Sequence, residues 1–207
     1  MENYEKFIDE NKAYLEARLV EATDKGIRVM GFPIYSADDA FKAVVRKTDL
    51  YYLPYCLYLI HFGAGVSQDK LFVMKAFRKL LPDRKSYAKM PVLAYVHAYC
   101  ENRDGDLDLS ENILGFLTKQ EFPPALATRG DLAFFRHDKE GAHRYYLHSA
   151  NLGHFVAKSR HMRLFKKGPQ FFLKVFLTLS VSIKFFAGTA RGEKYIFLDF
   201  YGLQGHA

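Results

Sequence analysis

The fold class is decided by residues 132–149, LAFFRHDKEGAHRYYLHS, where the spacing of apolar side chains changes. Two short apolar runs, LAFFRHD and HRYYLHS, flank DKEGA, and Gly141 in this connection suits a tight turn, so the pattern predicts a β-hairpin. Further along, residues 175–185, VFLTLSVSIKF, alternate apolar and polar side chains, as a half-buried strand does. We therefore expect residues 121–207 to form a mainly antiparallel β-sheet.

Upstream of this stretch, apolar side chains recur at the spacing of a helix. Residues 3–24 carry an apolar stripe opposite a charged face, which predicts an amphipathic helix. Ser67 fits the cap of another helix, and Pro91 fits the first turn of a further one. Residues 1–120 are accordingly predicted to be helical. The protein is predicted to have an α+β fold, whose two parts are either separate domains or one continuous domain.

Composition indicates a folded protein without a disulfide framework. Of its 207 residues, 49% are hydrophobic and 26% are charged, which is typical of globular domains. The two cysteines, Cys56 and Cys100, are too few for a disulfide scaffold, and the N-terminus shows no secretory signal, so a reducing, cytoplasmic location is expected. The longest uncharged run, residues 50–68, contains Pro54 and two glycines, so we expect a buried element there and no membrane span.

Positive charge is concentrated in one segment of the chain. Residues 129–167 hold 9 Lys and Arg against 3 Asp and Glu, whereas residues 1–128 hold 17 against 18, within a formal net charge of +7. Because cations neutralise phosphates and aromatic rings stack on unpaired bases, this segment with its interleaved Phe and Tyr predicts a nucleic-acid-binding surface. An acidic protein is the alternative partner. The predicted contact residues are Arg129, Arg136, Lys139, Arg144, Lys158, Arg160, Arg163, Lys166 and Lys167.

Residues 91–149 resemble a winged helix-turn-helix domain in the order of their parts. PVLAYVHAYCENR matches the first helix, LDL the short strand, SENILGFL the second helix, and residues 130–149 the two-stranded wing. The resemblance implies that KQEFPPALATRG supplies the recognition helix of a DNA-binding protein. The residues that it places against phosphates, in or beside the wing, are Arg129, Arg136, Lys139 and Arg144.

A second pattern resembles the papain-like cysteine peptidases of the bacteriocin-processing type. Cys56 follows Pro54 at a predicted helix start, where the helix dipole favours a thiolate. The segment GHFVAKS is similar to the strand that carries the catalytic histidine of those enzymes. The resemblance implies that Cys56 is a nucleophile and that His154 is the base that activates it, which would make the protein a hydrolase or transferase.

No cofactor or metal ion is expected. Five histidines lie between residues 137 and 161, but their separations of 6, 5, 6 and 7 residues differ from the spacings that bring two ligands together on one helix or strand.

From the concentration of positive charge, we predict a basic, non-catalytic protein that binds nucleic acid through residues 129–167. Two alternatives stay open, which are the cysteine-dependent enzyme and a module or inhibitor that docks on an acidic protein.

Overall fold

The computed structural model describes residues 2–24, 52–63 and 67–165. Within these ranges all regular secondary structure is helical, and no strand occurs. The described residues form two compact units, the first reaching Leu117 and the second beginning at Thr118. In chain order, the helices of the described residues are α1 (Glu2–Asp24), α2 (Tyr52–Gly63), α3 (Ser67–Leu80), α4 (Arg84–Lys89), α5 (Pro91–Asp104), α6 (Leu107–Lys119), α7 (Pro123–Phe135), α8 (Lys139–Asn151) and α9 (Phe155–Phe165).

The mainly antiparallel β-sheet predicted for residues 121–207 is wrong where the structure describes it. Residues 132–149, predicted as a β-hairpin and as the wing of a winged helix, form the end of α7, a short turn and most of α8. The strand predicted at residues 175–185 lies outside the described residues. The predicted α+β fold is therefore replaced by a helical one, on both sides of residue 120, in the described part of the chain.

The hairpin prediction failed because the buried side chains of α8 do not form an apolar stripe that indicates a helix. They are small, or, as with Tyr146, they lie next to another aromatic residue. The buried positions Ala142, Tyr146 and Ser149 follow the spacing of one helix face. Gly141 lies in the first turn of α8, where its N–H donates to Oδ1 of Asp138 at 2.8 Å and where a Cβ would collide with that carboxylate. In a strand and in a helix, one ring of an adjacent aromatic pair can lie on the buried face. Such pairs therefore do not distinguish the two structures.

The first unit joins its helices through an apolar core and through buried carboxylates, of which Asp69 connects α1 to α3. Helix α2 packs against α1, α3 and α5, and side chains such as Leu53 and Phe77 are fully enclosed. Asp69 of α3 accepts a hydrogen bond from the hydroxyl of Tyr14, and its Oδ1 lies 3.3 Å from Nη2 of Arg18. These two contacts connect α1 to α3, in agreement with the amphipathic helix predicted for residues 3–24.

The second unit, in its described part, is a group of three helices centred on one aromatic ring. Helix α8 packs against both α7 and α9. The buried cluster consists of Ala127, Ala142, Tyr146 and Ala157. Since the other members are alanines, Tyr146 is the largest side chain of this cluster.

None of the described helices combines the length and the apolar character needed to cross a bilayer. The uncharged run at residues 50–68 contributes α2, which has 12 residues. At about 1.5 Å per residue, such a helix extends about 18 Å, against a hydrocarbon core of about 30 Å.

Candidate nucleic-acid interface

A buried ion pair lies between the three described helices of the second unit, α7, α8 and α9. Oδ1 of Asp131, in α7, accepts a hydrogen bond from the hydroxyl of Tyr146 in α8 at 2.5 Å. Oδ2 of the same carboxylate accepts a hydrogen bond from Nη1 of Arg160 in α9 at 2.7 Å. The Arg160 side chain, predicted as a phosphate contact, is only 8% exposed. Its charge is therefore neutralised inside the unit, and one carboxylate connects all three helices.

The other predicted contact residues differ in their exposure. Arg129 and Lys158 are half-buried. Lys166 and Lys167 lie outside the described residues. The exposed cations of the predicted set are Arg136, Lys139, Arg144 and Arg163.

Helix α9 runs back along α8, so that Arg163 lies near the connection between α7 and α8. His143, near the start of α8, contacts His161 and Phe165 near the end of α9. Nδ1 of His143 lies 3.1 Å from Nε2 of His161, and the ring centroids of His143 and Phe165 are 5.0 Å apart. Helices α8 and α9 are thus antiparallel, so the end of α9 with Arg163 lies at the same end of the unit as the turn that precedes α8.

The connection between α7 and α8 is a turn with a closely bonded backbone. His137 has a φ of 62°, in the left-handed region, and its N–H donates to the carbonyl of Phe134 at 3.0 Å. The N–H of Asp138 donates to the carbonyl of Ala133 at 2.9 Å, which completes the Schellman motif that ends α7. The Asp138 carboxylate then accepts from the N–H of Gly141 and caps α8. Both sides of the turn are therefore held by hydrogen bonds.

This turn presents an aromatic ring to solvent. Phe135 is 51% exposed, and its ring lies edge-on to that of Phe134, with centroids 6.4 Å apart and planes at 68°. Phe134 packs in turn against the buried cluster of the unit. The sequence places both rings among the interleaved aromatics but does not show which one faces solvent, because that depends on the rotation of α7 against α8.

Two exposed acidic side chains lie beside these cations. The carboxylate of Asp138 is engaged as the cap of α8. Glu140 lies in the first turn of α8, where a negative charge is favoured by the helix dipole. Arg136 and Lys139 are balanced by these two carboxylates, so the excess positive charge of the exposed side chains in α7, α8 and α9 comes from Arg144 and Arg163. We define the basic end of the second unit as Phe135, Arg136, Lys139, Arg144 and Arg163.

The two residues predicted as a catalytic pair belong to different units. Cys56 lies in α2 of the first unit, and its side chain has no exposed surface. His154 precedes α9 in the second unit, is equally buried, and accepts a hydrogen bond at Nδ1 from the N–H of Ala157 at 3.3 Å. The segment GHFVAKS, predicted as a strand, leads into α9. His154 thus caps a helix, while the thiol of Cys56 is enclosed in the core of its unit.

A second pair of buried titratable groups lies in α5 of the first unit. Nε2 of His97 is 3.1 Å from Oε1 of Glu101, and its ring stacks on Phe77 with centroids 4.5 Å apart. Oε2 of Glu101 accepts a hydrogen bond from the N–H of Asp106 at 2.8 Å. Burial raises the pKa of Glu101, but the hydrogen bonds from His97 and Asp106 outweigh burial and hold that pKa below its ordinary value. This pair stabilises the turn between α5 and α6.

Metal ligands do not gather in the part of the chain that the structure describes. No group of three or more His, Cys, Asp or Glu side chains there is arranged to hold a metal ion. Two of the five clustered histidines do meet, at the contact between His143 and His161. Their separation in the sequence does not predict that contact, because it depends on the packing of α9 against α8.

In residues 2–24, 52–63 and 67–165 the chain is helical, and its second unit has a basic end with an exposed aromatic ring. No protein-family model, no curated protein and no solved structure matches the chain. Its function is therefore inferred from the geometry and the charge of the described residues.

Proposed function

We propose that this protein binds nucleic acid through the basic end of its second unit. The observation that carries the proposal is the distribution of charge in α7, α8 and α9. The one buried Lys or Arg of these helices, Arg160, is neutralised by Asp131. Of the exposed cations, Arg136 and Lys139 lie at the turn between α7 and α8. Arg144 and Arg163 lie in the halves of α8 and α9 that meet at the contact between His143 and His161. Cations at a surface attract phosphates and release counterions. The exposed ring of Phe135 adds a face on which a base can stack.

The four exposed cations of the basic end would contact the phosphate backbone. An arginine can bind a phosphate through two parallel hydrogen bonds, while Lys139 acts as a compact charge. If each cation neutralises one phosphate, affinity for a duplex falls about a hundredfold between about 50 mM and about 200 mM salt. Contacts of this kind carry no base sequence, so we expect weak discrimination between sequences.

Fluorescence anisotropy of a labelled oligonucleotide of about 16 nucleotides, titrated with the full chain at low salt, tests the proposal. We expect the wild-type chain to bind and the charge-reversed variant to lose binding. Far-UV circular dichroism shows whether the variant keeps its helices. The charge-reversed variant combines Arg136→Glu, Lys139→Glu, Arg144→Glu and Arg163→Glu.

A matched control reverses four exposed cations of the first unit and changes the net charge by the same amount. We expect this control to lose much less affinity, because its cations lie outside the basic end. Equal weakening by both variants, or a wild-type chain that does not bind at low salt, would contradict the proposal. The control variant combines Lys75→Glu, Arg84→Glu, Lys85→Glu and Arg103→Glu.

A further inference from the structure

We infer that the basic end binds single-stranded nucleic acid in preference to a duplex, with the ring of Phe135 stacked on an unpaired base. The inference rests on the proposed function and specifies the ligand of the same site. It depends on the position of the Phe135 ring, on the cations beside that ring and on the residues of the exposed face of α8.

The ring of Phe135 is exposed and held in position. Half of its surface is open to solvent, although it lies at the end of α7 where the backbone is bonded into the Schellman motif. The edge-on contact with Phe134 connects it to the buried cluster. A ring that is already ordered loses little conformational entropy when a base stacks on it.

Two exposed cations lie close to this ring in the chain, one on each side of the turn. Arg136 follows Phe135 directly, and Lys139 begins α8 after the turn. One turn of the chain therefore offers a stacking face together with two exposed cations. Proteins that bind single strands combine such a charged track with aromatic rings, since every base has a face that can stack.

The exposed face of α8 is poorly suited to a duplex. Base faces in a duplex are covered by their neighbours, so a protein reads the base edges instead, by placing a helix or strand in a groove. The exposed face of α8 carries Arg144, Leu147 and His148, and His148 lies 3.1 Å from the carboxylate of Glu121. Arg144 is the one Lys or Arg of α8 beyond its first turn, so this face offers few cations for the two phosphate backbones that border a groove.

The test compares a labelled thymidine homopolymer, a labelled uridine homopolymer and a mixed-sequence duplex of equal length, each titrated with the full chain. Phe135→Ala is expected to weaken binding of the single strands by about 5- to 150-fold, which is the effect of losing one base-stacking ring. Duplex binding should stay as in the wild type. The slope of affinity against salt should also stay unchanged, because a phenyl ring releases no counterions.

Two further variants separate stacking from general damage to the surface. Phe135→Tyr keeps an aromatic ring and should restore single-strand binding. Leu147→Ala removes another exposed apolar side chain of the same unit, 40% exposed, and should leave binding unchanged. The two homopolymers show whether the strand is DNA or RNA, and a preference for either over the duplex supports the inference.

Three results would overturn this inference. Duplex binding as tight as single-strand binding would do so, as would a Phe135→Ala loss that is equal for both ligands or no larger than that of Leu147→Ala. In each of these cases binding itself survives, so the proposed function stands while the single-strand preference or the stacking role of Phe135 is wrong. A wild-type chain that binds none of the three nucleic acids overturns the inference and the proposed function together.

Discussion

Replacing Asp131 by asparagine is expected to destabilise the second unit by about 3–5 kcal/mol. Asparagine keeps the size of the side chain and can still accept the hydrogen bond from Tyr146, but it removes the negative charge that lies 2.7 Å from Arg160. Because the Asp131 and Arg160 side chains are 1% and 8% exposed, water has little access to replace the lost partner. The guanidinium then bears the cost of a buried charge that has lost the carboxylate beside it.

Two further variants measure how much of this stability depends on each partner of Asp131, Tyr146 and Arg160. Tyr146→Phe removes only the hydroxyl, whose hydrogen bond to a charged carboxylate contributes about 1.5–3 kcal/mol. Arg160→Met removes the cation beside the buried Asp131 carboxylate, so its cost should again be about 3–5 kcal/mol. A variant that combines Asp131→Asn with Arg160→Met contains neither charge. We expect it to lose much less stability than the sum of the two single variants.

Urea unfolding followed by far-UV circular dichroism measures these differences in the free energy of unfolding. Glu140→Gln is the matched control, because it makes the same change from acid to amide at an exposed position of α8. Its effect should stay within about 0.5 kcal/mol. An Asp131→Asn variant that loses less than about 1 kcal/mol, or additive costs in the double variant, would refute the reasoning.

Gly130→Ala is expected to destabilise the second unit by about 1–3 kcal/mol, because a Cβ there would lie 2.6 Å from Cδ1 of Tyr146; an unchanged urea midpoint would show that the ring can move aside. His137→Gly should raise stability by up to about 1 kcal/mol, since glycine adopts a φ of 62° without a side-chain clash, and a lower melting temperature would contradict this. The pKa of Glu101 is lower in the folded chain than its ordinary value of 4.5, so Glu101 contributes stability above that value, and the contribution is lost as the pH falls through the folded pKa. Below pH 4.5 the stability of the wild type should therefore decline more steeply than that of Glu101→Gln, and parallel profiles of unfolding free energy against pH would argue against it.

Local patterns predicted some elements well and misled at others. Helical spacing over residues 3–24 led to α1, which spans Glu2–Asp24, because an apolar stripe opposite charges fits only one period. Residues 132–149 contain adjacent aromatic pairs, which fit a strand and a helix equally. A signal for the helix was present in Asp138, a favoured N-cap residue that accepts a hydrogen bond from the N–H of residue 141.

The candidate site was predictable in its charge and unpredictable in its geometry. Arg136, Lys139, Arg144 and Arg163 were in the predicted set, because a cation can be read directly from the sequence. Phe135 could not be separated from Phe134, since the two rings differ only in the face of α7 that each occupies.

The concentration of positive charge between residues 129 and 167 is determined by the sequence alone. Which of those cations reach solvent was decided by the tertiary structure, where Arg160 meets an aspartate 29 residues away. Likewise, Arg163 lies at the same end of the unit as the turn after α7 only because α9 runs back along α8. The physical reason is that periodicity shows which face of a helix is apolar, whereas charge pairing depends on which helices meet and at what rotation.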